Sequence, residues 1–204
     1  MNKLNKKIKM NRGMSYIELI VVLSIFATIS SIMMFNYGDF QAKVDIKNLA
    51  SDIALKIVEA QKSSLSGLLP PPAQGSLVIP GWKPSYGVYF NPVSDNKSFI
   101  YFSDLNNDTQ YDGFNCVGTG ECLSKITITK NNSLSRLDVF YQGDSTPYSL
   151  NDLTITFSRP NSGAVIRSST AFTSSISYVQ VTIVSPKATT AKIKLYPSGR
   201  VQIN

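Results

Sequence analysis

The chain has 204 residues, a formal net charge of +7 and 43% hydrophobic residues. It contains no histidine, which excludes His-based catalytic triads and HExxH zinc sites. Its two cysteines allow at most one intrachain disulfide, and neither a P-loop nor a dinucleotide fingerprint is present.

Residues 1 to 12 carry Lys3, Lys6, Lys7, Lys9 and Arg12 with no acid. From Ile17 to Phe35 the chain is almost wholly apolar, and Glu18 is its sole charge. Met14 to Tyr37 holds roughly two dozen residues, and about 20 cross a hydrocarbon core as a helix. The five preceding cations belong on the cytoplasmic side, which places everything after the span on the outer side. A secretory signal would be cut after its apolar region, where Ser30-Ser31 offers only a weak site. An uncleaved anchor accounts for the span but leaves Gly13, at the polar-to-apolar junction, and Glu18 unexplained. A carboxylate at the edge of a spanning segment is costly and marks a functional position by default. Loss of residues 1–13 would leave a net charge of about +2, too little for a strong electrostatic footprint.

Between Phe40 and Ser64, Leu49, Ile53 and Ile57 recur every four residues, with Ile46 and Ala60 on the same face. Lys43, Lys47, Asp52, Lys56, Glu59 and Lys62 keep largely to the other side, the pattern of an amphipathic helix. The spacing predicts one continuous rod over Met14–Ser64, roughly 75 Å long at 1.5 Å per residue, its second half packed on a globular head. Gly67 and Pro70-Pro71-Pro72 end it. The domain reading is a basic leader (1–13), a spanning helix (14–37), an amphipathic helix (38–66) and a β-rich head (67–204).

From Ser76 onward the pattern is that of short strands. Gly87–Phe90, Ser98–Phe102, Lys125–Thr129, Leu134–Tyr141, Leu153–Phe157 and Ala164–Ile166 are β-branched and aromatic. Ile176–Val184 and Ala191–Tyr196 alternate strongly, and Val201-Gln202-Ile203 closes the chain. Turns rich in Asn, Gly, Pro and Ser separate them, which predicts an antiparallel sheet. The expected fold class is α+β, a long N-terminal α-helix on an antiparallel β head.

Asp104, Asn106 and Asp108 place oxygens at alternating positions, as in the first half of an EF-hand-like calcium loop. Gln110 would add a backbone carbonyl, Asp112 a carboxylate, and Glu121 would complete a structural calcium site. Thr109 stands where such loops have their turn glycine, and Asn115 where they have a glutamate. Asn- and Asp-rich segments are also good turns, because these side chains hydrogen-bond their own backbone. The calcium and plain-turn readings stand side by side. Cys116 and Cys122, with Gly118 and Gly120 between them, are spaced for a small disulfide-closed loop, the expected state outside the cytoplasm. Asp138, Asp144 and Asp152 are scattered near strand ends and read as solvated. Trp82 and the tyrosines are candidates for a sugar-binding face, although aromatics in strands more often pack in cores or cross-strand pairs.

The stretch Arg12-Gly13-Met14-Ser15-Tyr16-Ile17-Glu18-Leu19-Ile20-Val21-Val22 resembles the processing motif of type IV prepilins and type II secretion pseudopilins. The resemblance implies cleavage by a prepilin peptidase between Gly13 and Met14, then N-methylation of Met14, where the family usually has Phe. Glu18 matches the family's glutamate at the fifth mature position, implied to pair with the N-terminal amine of a neighbouring subunit. A buried carboxylate is expensive alone and tolerable beside an amine. The long helix, Tyr86-Gly87-Val88-Tyr89-Phe90 and the late Pro197-Ser198-Gly199-Arg200-Val201 together look like GspH/FimT-type minor pseudopilins. In FimT-like members of competence pili a Gly-Arg-x-Arg motif is implicated in DNA binding. Gly199-Arg200-Val201-Gln202 keeps only the first arginine, so Arg200 is the single candidate DNA contact.

The resemblance thus implies a type IV pilin-like fold and a structural, non-enzymatic role. The chain would be a minor pilin or pseudopilin of a type II secretion pseudopilus or type IV pilus. It would sit as a single-pass protein of the bacterial inner membrane, head on the outer side, until it joins other pilins in a filament. Two alternatives are a DNA-uptake minor pilin and a membrane-anchored adhesin or ligand-binding protein that forms no filament.

Overall fold

Apolar residues that surround a helix at its start and are later confined to one stripe give it two kinds of surface. In the computed structural model that helix, α1, spans Tyr16–Ser66, 51 residues. The structure describes residues 14–75, 78, 83–113, 116 and 120–204; Gly13, Trp82 and Asn115 lie outside them. The chain divides into two units, the boundary falling between Gln41 and Ala42.

In the first unit the described apolar side chains of α1 are exposed, among them Ile17, Leu19, Ile20, Val21, Val22, Ile25 and Phe26. This segment is long and apolar enough to cross a membrane. Ser24 Oγ donates to the Val21 carbonyl and Thr28 Oγ1 to that of Ile25, both at 2.8 Å. The hydroxyls are therefore satisfied within their own helix, as a lipid-facing segment requires.

In the second unit the stripe is real and slightly rotated from its expected centre. Ile46, Ala50, Ile53, Ile57 and Ala60 are buried, whereas Leu49 is only partly buried at the edge. Their alternating spacing of four and three keeps one face of the helix on the core. The helix ends as glycine dictates. Gly67 sits at φ +63°, its N–H donates to the Ser64 carbonyl (3.0 Å), and Leu68 N–H donates to that of Ser63 (3.1 Å). This paired arrangement is the Schellman motif, which satisfies carbonyls that a helix end otherwise leaves orphaned. A single turn, α2 (Pro72–Gly75), follows.

Among the described residues, ten strands come next: β1 (Ser85–Phe90), β2 (Ser98–Asp104), β3 (Cys122–Thr127), β4 (Ser133–Tyr141), β5 (Tyr148–Leu150), β6 (Leu153–Phe157), β7 (Ala164–Arg167), β8 (Ile176–Val184), β9 (Thr190–Leu195) and β10 (Val201–Ile203). They form two antiparallel five-stranded sheets, ordered β3-β2-β1-β6-β7 and β10-β9-β8-β4-β5. The expected antiparallel β head is thus built of two sheets, and β5 is a strand the sequence pattern did not announce. Alternation explains the pairing. Tyr86, Val88 and Phe90 of β1 and Val179, Val181 and Ile183 of β8 all face one core, which also takes the α1 stripe.

The far side of the first sheet has a smaller apolar site. Gly87 pairs with Phe102, and a Cβ on Gly87 would come within 2.6 Å of the Phe102 ring. Glycine lets that ring lie flat across β1, where Tyr111 then packs on it at 5.3 Å between centroids.

Candidate functional site

Three groups of residues carry the chemistry that the sequence singled out. The first is the start of α1. Met14 is 63% exposed, and Leu19 N–H donates to the Ser15 carbonyl (3.0 Å) as the first turn closes. Glu18 lies within that turn and is exposed, where the unpaired N–H groups of a helix start favour a negative charge. It is the only charged residue between Met14 and Gly38. Gly13, the other half of the proposed cleavage point, lies outside the described residues.

The second group is the acidic loop after β2. Asp104 is 0% exposed; its Oδ1 accepts from Asn107 N–H (2.7 Å) and its Oδ2 from Thr109 N–H (3.1 Å). These bonds hold Asn107 and Thr109 at φ +64° and +66°, a left-handed conformation that non-glycine residues adopt rarely. Glu121 is 7% exposed, and its two oxygens accept from Leu105 N–H and Asp112 N–H, both at 3.0 Å. Asp108 Oδ1 accepts from Gln110 N–H (2.8 Å). Asn106 Nδ2 donates to Asp108 Oδ2 (3.1 Å) and Asp112 Oδ2 (2.7 Å). Burial pushes the Glu121 carboxyl up to about 7 and raises Asp104 as well.

In this arrangement the loop's oxygens already serve the chain's own donors. The loop brings Asp104, Asn106, Asp108, Asp112 and Glu121 together, yet their oxygens answer backbone N–H groups and the amide of Asn106. Among the described residues no group of three acidic or cysteine side chains is placed to hold a metal. The turn reading describes these bonds: the carboxylates form the inside of the loop.

The loop is tied down from two further sides. Thr156 Oγ1 donates to the Thr109 carbonyl (3.0 Å), and Arg167 Nε to Thr109 Oγ1 (3.2 Å). Cys116 and Cys122 form the expected disulfide, with Cα atoms 5.0 Å apart. Sequence reasoning missed Gln74. Buried on α2, it donates to the carbonyls of Gly120 (2.7 Å) and Cys122 (3.1 Å) and accepts from Ser103 Oγ (3.1 Å). Nothing around a lone glutamine after a proline run marks it in advance.

The third group surrounds Arg200. Its guanidinium lies 3.9 Å from the Tyr196 ring centroid, and Lys194 Nζ lies 4.8 Å from that of Tyr178. Phe140, Tyr178 and Tyr196 form a row across the outer face of the second sheet, with centroids 4.4 and 5.6 Å apart. Arg200 is therefore held on an aromatic face. Spacing alone could not show this row, because it depends on the β4–β8–β9 register. Of the scattered acids, Asp138 departs from the solvated reading: it is buried, 3% exposed, and its charge is met by Arg136 at 2.5 Å. Asp144 accepts from Thr146 N–H and Tyr148 Oη, and Asp152 accepts from Ser168 and Ser169.

No family model, curated protein or solved structure matches this chain.

Proposed function

We propose that this chain is a minor pilin or pseudopilin, a structural subunit that waits in a membrane and joins a filament through its N-terminal helix. One observation carries the reading: a lone carboxylate, Glu18, in the first turn of α1, whose apolar opening segment carries no other charge before Asp39 and is exposed from Ile17 to Met34, shortly after the Gly13-Met14 junction. A plain anchor needs neither residue. A subunit that trades lipid for neighbouring helices needs an apolar surface and a polar contact to set the register. Cleavage by a prepilin peptidase would free the Met14 amine as the partner of Glu18 on an adjacent subunit.

N-terminal mass spectrometry of the membrane-extracted protein tests this. A chain beginning with N-methylated Met14 is expected; an intact leader overturns the reading. Glu18→Ala should insert in the membrane normally and fail to co-assemble.

A second reading, contact with nucleic acid, is favoured by the row of Phe140, Tyr178 and Tyr196 with Lys194 and Arg200 on it. Aromatic faces interleaved with cations suit single-stranded nucleic acid. Arg200→Ala should then weaken oligonucleotide binding and flatten its salt dependence. Equal retention of DNA by wild type and variant would exclude that site.

A further inference from the structure

The outer face of the first sheet carries a groove of about 560 Å³ that neither reading uses. Its floor follows the register: Tyr89 of β1 lies opposite Ile100 of β2, which lies opposite Lys125 of β3, all on the face away from the core. The turn at Asn91–Asp95 forms one wall, and Tyr111, Asp112 and Gly113 form the other. Its volume is in the range of small-molecule sites.

The lining chemistry narrows the ligand. Lys125 Nζ is paired with Asp95 Oδ2 at 2.8 Å, and Asp95 also accepts from Ser98 Oγ (2.6 Å) and Lys97 N–H (2.9 Å). The groove's cation is thus already neutralised, which removes the main attraction for a phosphate or another anion. Its walls, with Asn91, Ser94, Asp95 and Asp112, are too polar for a lipid chain. What remains is a mixture of fixed donors and acceptors. Asn91 Nδ2 gives one N–H to Tyr89 Oη (3.0 Å) and keeps a second, the Lys125 ammonium has further N–H groups, and the Asp95 and Asp112 carboxylates have spare lone pairs. Tyr111 Oη is buried with no partner among the described residues. It lies so close to Gly113 that a Cβ there would come within 2.6 Å of it. Hydroxyl groups are the ligand groups that donate and accept at once, and Tyr89 with Ile100 offers an apolar surface between them.

We propose that this groove binds a neutral pyranose, one or two sugar units of a glycan, its C–H face on Tyr89 and its hydroxyls shared among Asn91, Asp95, Asp112 and Lys125. None of these residues lies in α1, the helix through which a filament would form.

Saturation-transfer NMR on the full chain in lipid nanodiscs tests it, since sugar-based detergents would compete. The probes are maltotriose, cellotriose, triacetylchitotriose, the acidic trimer of galacturonate, and trialanine. Transfer to at least one neutral trisaccharide is expected, with affinity for the galacturonate trimer about tenfold lower. Lys125→Ala, at an exposed strand edge, and Ser94→Trp, which fills the groove from an exposed turn, should each weaken binding by about tenfold, while Arg200→Ala leaves it unchanged. Absence of transfer to every neutral trisaccharide overturns the proposal. So does undiminished binding in both groove variants, or capture of trialanine or the galacturonate trimer in preference to the neutral sugars.

Discussion

The two halves of α1 are the same secondary structure built for different surroundings. Before Gln41 the apolar residues point everywhere and bury nothing within the chain. After Ala42 they occupy one stripe, and that stripe belongs to the core of two sheets. Helix formation therefore says little about where a segment belongs. The angular distribution of its apolar side chains says nearly all of it, because a one-sided stripe can be satisfied by one partner surface and an all-round one only by lipid or several neighbouring helices.

The sharpest way to break this contrast is to place the same charge in both halves. Ile53→Asp puts an unpaired carboxylate into the shared core and should cost about 4–5 kcal/mol, near the whole stability of an ordinary domain; thermal unfolding of the full chain in micelles measures it. Val21→Asp should change that unfolding by less than about 0.5 kcal/mol. Its cost appears instead in membrane insertion, about 2.5–3.5 kcal/mol, read as the fraction resisting carbonate extraction. If both variants unfolded the head equally, the division between the halves would be wrong.

Smaller changes sharpen the picture of what the second half supports. Glu121→Ala strands the N–H groups of Leu105 and Asp112 and should cost about 2–4 kcal/mol, seen in denaturant unfolding. Its titration gives a sign. The folded carboxyl is raised from 4.5 to about 7, so the stability it contributes is full below 4.5 and is lost as pH rises through 7. Asp104 shifts in the same direction. Asp95, lowered from 3.8 to about 2 chiefly by its bond with Lys125, acts only below that window. The protein should melt higher at pH 5 than at pH 8, and Glu121→Ala should flatten that slope. Gly67→Ala, which forces a side chain into φ +63°, should cost about 1–2 kcal/mol and fray the last turn of α1 in hydrogen exchange.

Much of this was legible in the residues, for reasons that can be named. The stripe through Ile46, Ile53, Ile57 and Ala60 follows from helical period alone, and Gly67 from the left-handed conformation that a helix end uses. The strands from Ile176 to Tyr196 follow from strict alternation. The division into two sheets did not follow, because the chain passes between them three times and long-range pairing leaves no local mark. The Asp104–Gly113 loop was legible as a cluster of oxygens. Whether those oxygens face a cation or the chain's own N–H groups depends on the φ angles of Asn107 and Thr109, which their side chains do not announce. Arg200 was legible as a cation on a turn, while the ring beneath it depended on register.

The shared core also fixes where this protein can be cut. A recombinant fragment starting at Gly67, the first residue of the β-rich region by composition, would lack Ile46, Ala50, Ile53, Ile57 and Ala60 and open a trench along both sheets. A fragment starting near Ala42 discards the exposed apolar run and keeps the wall. The natural seam of the polypeptide lies in the middle of a helix, where no loop or proline marks it.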